Sequence, residues 1–258
     1  MKRLLLMLLI LCSATTLSAK SKEYEKRVFV SSDGDSLNYR LLTPESVDPS
    51  AKYPLVIFLH GSGERGSDNE KQLTHGSEMF LNPLNREQYP AYVIFPQCPE
   101  EQFWGSRTGR PAMFTSESMP NSSDEIASNL ALVKGVIESY LELPNVDGDR
   151  VYIVGLSMGA MGLFDLVSRH PELFAAAVPI CGTVRSERLA NAQDVSFRIF
   201  HGDADSVVPI DGSRAAYKAL KAAGASVEYV EFAGCNHDSW NPAFNYPDFM
   251  EWIFKQRK

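Results

Sequence analysis

The sequence lacks the features that mark several classes of protein. Its 258 residues include four cysteines and five histidines, and none of these have the spacing of a metal site. It has no cluster of lysine and arginine and a net charge of −7, which argues against nucleic acid and anionic membrane surfaces as partners. It also has no internal repeat or low-complexity tract. What remains is an ordinary globular composition, with a hydrophobic content of 44% that is sufficient for a full core.

An apolar run near the N-terminus is too short to span a bilayer as a stable helix. A basic start precedes residues 4–11, which are almost purely apolar, and residues 12–19 are small and polar. This is the plan of a secretory signal peptide with cleavage after Ala19, and it predicts a secreted or periplasmic protein. Cys12 would indicate a lipoprotein anchor, but a leucine precedes it where such signals normally carry a small residue.

Residues 20–258 are expected to form a single domain, because no linker interrupts them. This part of the chain has 23 basic and 32 acidic residues, a net charge of −9. It keeps three cysteines, an odd number that cannot all pair internally. Cys181 and Cys235 both follow predicted strands, so a disulfide between them and buried free thiols both remain open readings.

Short apolar runs alternate with helical patterns along this domain. The runs predict strands at Arg27–Val30, Leu37–Leu42, Leu55–Leu59, Tyr92–Phe95, Val151–Val154, Ala175–Ile180, Phe197–Phe200 and Val227–Phe232. The periodicity predicts helices at Ser122–Leu143, with Ser122 and Glu125 as a capping box, and at Ser157–His170, Asp211–Ala223 and Tyr246–Lys258. The fold is therefore predicted to be α/β, a mostly parallel sheet with helices on both faces and a leading antiparallel hairpin.

One pentapeptide stands between a predicted strand and a predicted helix. Gly155-Leu156-Ser157-Met158-Gly159 is a G-x-S-x-G sequence, which in this context forms a sharp turn that lifts the central serine above the sheet. The helix that follows favours negative charge developing at its N-terminus. Ser157 is therefore predicted to be a nucleophile.

A serine nucleophile needs a base and an acid that orients it. Of the five histidines, His237 lies in the loop after the last core strand, where a mobile imidazole fits. The remaining histidines have structural readings, two at strand ends, one in a polar solvated segment and one at a helix end: His60, His201, His75 and His170. The acid comes from the turn after Phe197–Phe200. Asp205 is preferred because it lies further out, whereas Asp203 is expected to brace the turn.

Acyl transfer also requires two backbone N–H groups that hold the oxyanion. One is predicted to come from Met158, the residue after the nucleophile. The other is predicted to come from Ser62, in the glycine-rich loop of residues 60–66. This loop lacks the Lys-Ser/Thr ending of a phosphate-binding P-loop.

Three further side chains are candidates for contact with a substrate. Trp104 and Trp240 have aromatic faces that suit a sugar or phenolic ring, and Gln97 stands at the end of a strand. Packing in the core is the alternative for both tryptophans. Residues 101–121 are polar and aperiodic, and they predict a long surface loop of the kind that lines sites.

Four segments together resemble the α/β-hydrolase superfamily: His60–Gly66, Gly155–Gly159, His201–Pro209 and His237–Trp240. Within it, they resemble secreted bacterial esterases of the polyhydroxybutyrate depolymerase and feruloyl esterase type, similar to carbohydrate esterase family 1. The resemblance covers nearly all of residues 25–258. It implies a Ser157–Asp205–His237 triad, no cofactor and no metal, and feruloyl or acetyl esters of plant polysaccharides as substrates.

Other functions remain open beside this one. The Glu64-Arg65-Gly66 loop is similar to that of general carboxylesterases and phospholipase-like esterases that act on small acyl esters. The same fold also carries peptidases of the prolyl oligopeptidase kind, although no propeller domain precedes the hydrolase region here. A non-enzymatic alternative is an inactive homologue that binds carbohydrate, against which the intact Ser, Asp and His set argues. The sequence leaves the oligomeric state undetermined.

Overall fold

The computed structural model describes residues 22–105, 111, 113–120 and 125–258. The predicted signal peptide, Cys12 and the predicted helix cap Ser122 lie outside these residues. In the part of the chain that the structure describes, no helix is long and apolar enough to cross a membrane.

The described residues contain one eight-stranded sheet with the order β1-β2-β4-β3-β5-β6-β7-β8. The strands are β1 Glu25–Val30, β2 Ser36–Leu42, β3 Tyr53–Leu59, β4 Tyr92–Pro96, β5 Val146–Leu156, β6 Ala176–Ile180, β7 Ser196–Gly202 and β8 Val227–Phe232. β1 and β2 pair antiparallel, β2 pairs antiparallel with β4, and every other pairing is parallel. The predicted hairpin and mostly parallel sheet are confirmed.

Helices cover both faces of the sheet. They are α1 Ser77–Leu81, α2 Pro83–Gln88, α3 Ser128–Leu141, α4 Met158–Arg169, α5 Asp211–Ala222, α6 Trp240–Phe244 and α7 Phe249–Lys255. Along β3, Ile57 packs in the core beneath α3, α4 and α5, while Val56 and Phe58 pack in a second core beneath α1, α6 and α7. Because successive strand residues point to opposite faces, the continuous apolar run of β3 fills both cores.

Two predicted helices begin later than expected. The helix predicted from Ser122 starts at Ser128, and Glu125 is not helical, so the predicted capping box is wrong. Helix stability here comes from core packing of Leu130, Val133 and Ile137, which a local capping signal cannot replace. The last helix starts at Phe249 rather than Tyr246, because the residue before Pro247 is disfavoured in helical conformation.

The sheet topology brings four loops to one edge. β3, β5, β7 and β8 are parallel to one another, so the loops that follow them all leave from the carboxyl ends of the strands. Sites in open α/β sheets lie at this edge. The segments around Ser62, Ser157, Asp205 and His237 therefore meet there, although they are far apart in the sequence.

Candidate active site

The turn that carries Ser157 depends on two glycines. Ser157 has φ 52° and ψ −118°, a positive φ that is strained for a residue with a side chain. A Cβ on Gly155 would stand 2.5 Å from the carbonyl oxygen of Gly159, and a Cβ on Gly159 would stand 2.0 Å from that of Leu59. Strand and helix therefore approach each other closely enough only with glycine at both positions, and this approach fixes the strained turn.

A chain of hydrogen bonds begins at the Ser157 hydroxyl. Its Oγ lies 2.8 Å from Nε2 of His237. On the other side of the ring, Nδ1 of His237 lies 2.7 Å from Oδ2 of Asp205. The structure thus brings together the three residues that the sequence predicted as nucleophile, base and acid, in the order that a serine hydrolase requires.

Asp205 is held as a carboxylate. Its side chain is fully buried, and Oδ1 accepts hydrogen bonds from the amides of Val207 and Val208, at 2.9 Å each. Burial alone would raise the pKa of the carboxyl, but hydrogen bonds from His201, His237 and the two amides outweigh it and hold the pKa of Asp205 well below its usual range. The acid is therefore charged at neutral pH and can stabilise a protonated His237.

Asp203, the alternative acid, has a different partner. Its Oδ1 accepts a hydrogen bond of 2.7 Å from the amide of Gly234, in the loop that carries His237. Asn236 adds a second link between the loops, because its Oδ1 accepts from the amide of Ser206 at 2.9 Å. These bonds fix the His237 loop on the Asp205 turn, a role for Asn236 that no sequence pattern indicated.

His201 is a second donor to Asp205. Its Nε2 lies 3.2 Å from Oδ2 of Asp205 and 3.0 Å from the carbonyl oxygen of Val208, and its Nδ1 lies 2.7 Å from Oγ of Ser213. Since Nε2 faces two acceptors, it carries the hydrogen. The sequence predicted His201 as a structural histidine at a strand end. The spacing of four residues to Asp205 was a signal for this contact.

We expect His201 to position Asp205. Replacing it with leucine removes the buried donor to Oδ2, so kcat is expected to fall roughly 10- to 100-fold, the effect of a lost hydrogen bond to a charged group, with KM unchanged. His201→Gln retains an N–H donor and is the matched control, with activity close to the wild type. Steady-state kinetics and thermal unfolding of both variants test this, and a leucine variant with wild-type kcat would contradict it.

The two predicted oxyanion donors lie just after two neighbouring strands, Ser62 after β3 and Met158 after β5. Met158 is the first residue of α4, where a backbone N–H has no partner within the helix. Ser62 opens a 3-10 turn, Ser62–Glu64, directly after β3, and β3 pairs with β5 up to Leu59 and Gly155. Both amides are thus at the same sheet edge as Ser157. Their role in binding an oxyanion stays a prediction.

Two of the predicted substrate contacts are internal. Trp104 is 0% exposed and packs against the ring of His60, with centroids 5.5 Å apart. Gln97 is 1% exposed, its Oε1 accepts from the amide of Asn69 at 2.7 Å, and its Nε2 donates to Oδ1 of Asp68 at 2.8 Å. Neither side chain is accessible to a substrate, because both side chains are buried inside the protein.

Trp240 instead stands beside the proposed base. It is half-buried, and its ring lies 5.6 Å from that of His237 at an interplanar angle of 86°. The ring of His75 contacts it from another side, at 5.3 Å. His75, which the sequence predicted to be solvated, is 3.8 Å from Glu64. Trp240 also packs against the second core, and its contact with a substrate stays a prediction.

His60 supports the glycine-rich loop. It is buried, its Nε2 accepts from the amide of Cys98 at 3.0 Å, and its Nδ1 lies 2.6 Å from the carbonyl oxygen of Gly61. Burial lowers the pKa of His60 to about 4, so it is neutral. It fixes the start of the loop that carries Ser62, which is a structural role of the kind that the sequence predicted for His60.

Cys98, Cys181 and Cys235 are all free thiols. Burial raises the pKa of the Cys181 thiol, so it is uncharged at neutral pH. One ligand atom each from Cys181, Asp205 and His237 lie within 4.8 Å of one another, so these residues are close enough together to hold a metal ion. The short hydrogen bond between His237 and Asp205 already engages two of these ligands, so the arrangement fits proton transfer better than coordination.

Two arginines anchor residues 113–120, which are part of the segment that the sequence predicted to be a long surface loop. Arg185 donates to the carbonyl oxygen of Met119 at 2.6 Å, and Arg188 donates to that of Pro120 at 3.1 Å. Arg188 also forms a buried ion pair with Asp165 of α4. Residues 113–120 are thereby attached to α4, the helix that follows Ser157.

Comparisons with known proteins agree with this geometry. A family model described as Phospholipase/Carboxylesterase matches residues 46–248. A probable carboxylesterase of Arabidopsis thaliana, SOBER1-like, is 22% identical over 213 residues, which cover 78% of each chain. The matched family region contains Ser157, Asp205 and His237.

Solved structures show the same fold. The crystal structure of a thermostable esterase is 33% identical, with a TM-score of 0.83, and the alignment covers 92% of this chain and 64% of that one. The chain thus corresponds to a little under two thirds of that protein. A ferulic acid esterase is 17% identical, with a TM-score of 0.65 over 90% of this chain and 98% of its own, a likeness of fold alone.

Proposed function

The chain belongs to the phospholipase/carboxylesterase family of α/β-hydrolases, and we propose that it hydrolyses carboxylic esters through Ser157, His237 and Asp205. That it is a carboxylic ester hydrolase follows from the family and from its carboxylesterase and esterase relatives. The observation that carries the assignment of residues is the continuous hydrogen-bonded chain from Ser157 Oγ through His237 to Asp205.

The geometry supports a two-step mechanism. His237 Nε2 takes the proton of Ser157 as Oγ attacks the ester carbonyl, and Asp205 stabilises the imidazolium that forms. The amides of Met158 and Ser62 hold the oxyanion. His237 then gives its proton to the departing alcohol, which leaves an acyl-enzyme. Water, activated by the same imidazole, releases the acid and restores Ser157.

For the substrate we propose feruloyl or acetyl esters of plant polysaccharides. Trp240 supports this assignment, because a half-buried aromatic ring beside the base can contact a sugar or phenolic ring. The ferulic acid esterase with the same fold is consistent with it. General hydrolysis of small acyl esters is the second candidate, and the match to the carboxylesterase family fits it equally well.

The proposed location agrees with an extracellular polymer as substrate. Residues 1–19 have the basic, apolar and small-polar order of a signal peptide, and the acidic remainder of the chain suits a soluble protein outside the cytoplasm. We therefore propose a secreted or periplasmic enzyme.

A panel of esters tests the substrate assignment. We expect kcat/KM on methyl ferulate or acetyl-xylan to exceed kcat/KM on short p-nitrophenyl acyl esters by about tenfold or more, after correction for leaving-group reactivity. This is the effect of one additional contact in the transition state. Equal values across the panel would favour the general carboxylesterase. If the enzyme hydrolysed none of these esters, the proposed function itself would be overturned.

A further inference from the structure

A polar groove lies next to the site on the side of His237. It has a volume of about 590 Å³ and runs between the Thr74–Asn85 segment and α6. We propose that this groove binds the alcohol part of the ester and that its ligand is a polyhydroxylated alcohol such as a sugar residue. The inference rests on the proposed ester hydrolysis and assigns the groove that would hold its leaving group.

Two aromatic contacts join the groove to the proposed base. His75 lines the groove, and its ring is 5.3 Å from that of Trp240, which is in turn 5.6 Å from that of His237. α6 contributes Trp240 as its first residue, and the next residue, Asn241, already lines the groove. The groove therefore begins one side chain away from His237.

The mechanism determines which half of the substrate faces this side. His237 Nε2 must reach both Ser157 Oγ and the oxygen of the departing alcohol, because it protonates that oxygen. The carbonyl oxygen points instead toward the amides of Met158 and Ser62. The surface that continues beyond His237 and Trp240 consequently faces the alcohol rather than the acyl group.

The chemistry of the lining suits hydroxyl groups. Carboxamides carry both donors and acceptors, as hydroxyl groups do, and four asparagines line the groove: Asn82, Asn85, Asn241 and Asn245. Asn82 Oδ1 already accepts from the amide of Leu84, and the Asn85 amide donates to the carbonyl oxygen of Met79. Asn241 and Asn245 are exposed. Among the described residues, the Asn241 carboxamide has no hydrogen-bond partner, and the Asn245 amide donates to the carbonyl oxygen of Asn241 at 2.8 Å, which leaves its Oδ1 to accept.

The same lining argues against two other ligands. No lysine or arginine lines the groove, all of whose residues are described, and a glutamate, Glu78, does, so a phosphate headgroup would meet neither of the two permanently cationic side chains. An acyl chain would bury the carboxamides and offer them no hydrogen-bond partner, which is unfavourable. Phe244 adds apolar surface to the groove itself, and Trp240 adds it between the groove and His237; apolar surface next to polar groups is the combination that sugar faces require.

The test compares one acyl group on two alcohols: a monoacetylated methyl glycoside and methyl acetate. We expect Asn241→Leu to lower kcat/KM on the glycoside ester about three- to tenfold, mainly through KM, since one neutral hydrogen bond is lost. On methyl acetate the change is expected to stay within about twofold. Asn191→Leu is the control and is expected to alter neither, because Asn191 is an exposed asparagine at the end of the 3-10 helix Ser186–Asn191, which does not line the groove.

Each outcome has a definite meaning. A selective loss on the glycoside ester supports the proposal, and hydrolysis of methyl acetate shows at the same time that each variant is folded. Equal losses on both esters, or no loss on either, overturn the groove as an alcohol site while the esterase function stands. If the wild-type enzyme cleaves neither these two esters nor those of the panel, both proposals fall.

Discussion

Replacing Ser157 with alanine is expected to lower kcat on a p-nitrophenyl ester on the order of 10⁴-fold or more. In the proposed mechanism the hydroxyl is the atom that attacks the carbonyl, and its hydrogen bond of 2.8 Å to His237 makes it reactive. Alanine removes the nucleophile and leaves the predicted oxyanion amides in place. The residual rate should therefore remain above that in water, and KM should change little.

The comparison needs a serine of the same helix that lies away from the chemistry. Ser168 stands near the opposite end of α4, where its Oγ donates to the carbonyl oxygen of Asp165. Ser168→Ala is expected to keep the wild-type kcat within about twofold. A fluorophosphonate probe should label the wild type and Ser168→Ala but not Ser157→Ala. Failure to label the wild type would favour the inactive, carbohydrate-binding homologue.

Asp205→Asn is expected to have the second largest effect, a fall in kcat of about 10⁴-fold. The amides of Val207 and Val208 both donate to Oδ1 of Asp205, so the asparagine oxygen is held there. Its NH₂ group then replaces Oδ2 and faces Nδ1 of His237. An N–H donor at this place favours the tautomer with the hydrogen on Nε2, which cannot accept the proton of Ser157.

Asp203→Asn is the matched control for this variant. The Asp203 carboxylate accepts from the amide of Gly234, and the asparagine oxygen can accept the same bond. We expect a loss in kcat of less than about tenfold, because only the strength of one hydrogen bond changes. Equal losses in both variants would mean that Asp205 supports the loop and does not orient His237.

A comparison of the wild type with Asp205→Asn also tests the charge on Asp205. The folded-state pKa of this carboxyl is depressed, so the stability it contributes is present above the unfolded-state pKa, about 4, and is lost as the pH falls below it. The wild type should therefore have a larger free energy of unfolding than Asp205→Asn, and this difference should be greater at pH 7 than at pH 3. Urea unfolding at both pH values measures the difference.

The sequence predicted most of the fold because its signals are local. Both faces of β3 pack in a core, so its apolar residues are continuous and do not alternate with polar ones. The hairpin of β1 and β2 contains the residues that form its own turn. The boundaries of α3 and α7 were less predictable. A capping pattern and a periodic pattern describe what a segment favours in isolation, whereas the packing of Leu130 and the restraint of Pro247 decide where each helix begins.

By itself, the sequence determined the turn at Ser157, the order Ser, Asp, His along the chain, and the single loop histidine that follows the last strand. Only the tertiary structure decided that Asp205 rather than Asp203 contacts His237, that His201 is a second donor to it, and that Trp104 is buried while Trp240 stands beside the base. The physical reason is the range of the interactions. Glycine requirements and strand-to-helix turns are settled among neighbouring residues, but a hydrogen bond across 32 or 80 positions depends on which parallel strands lie side by side.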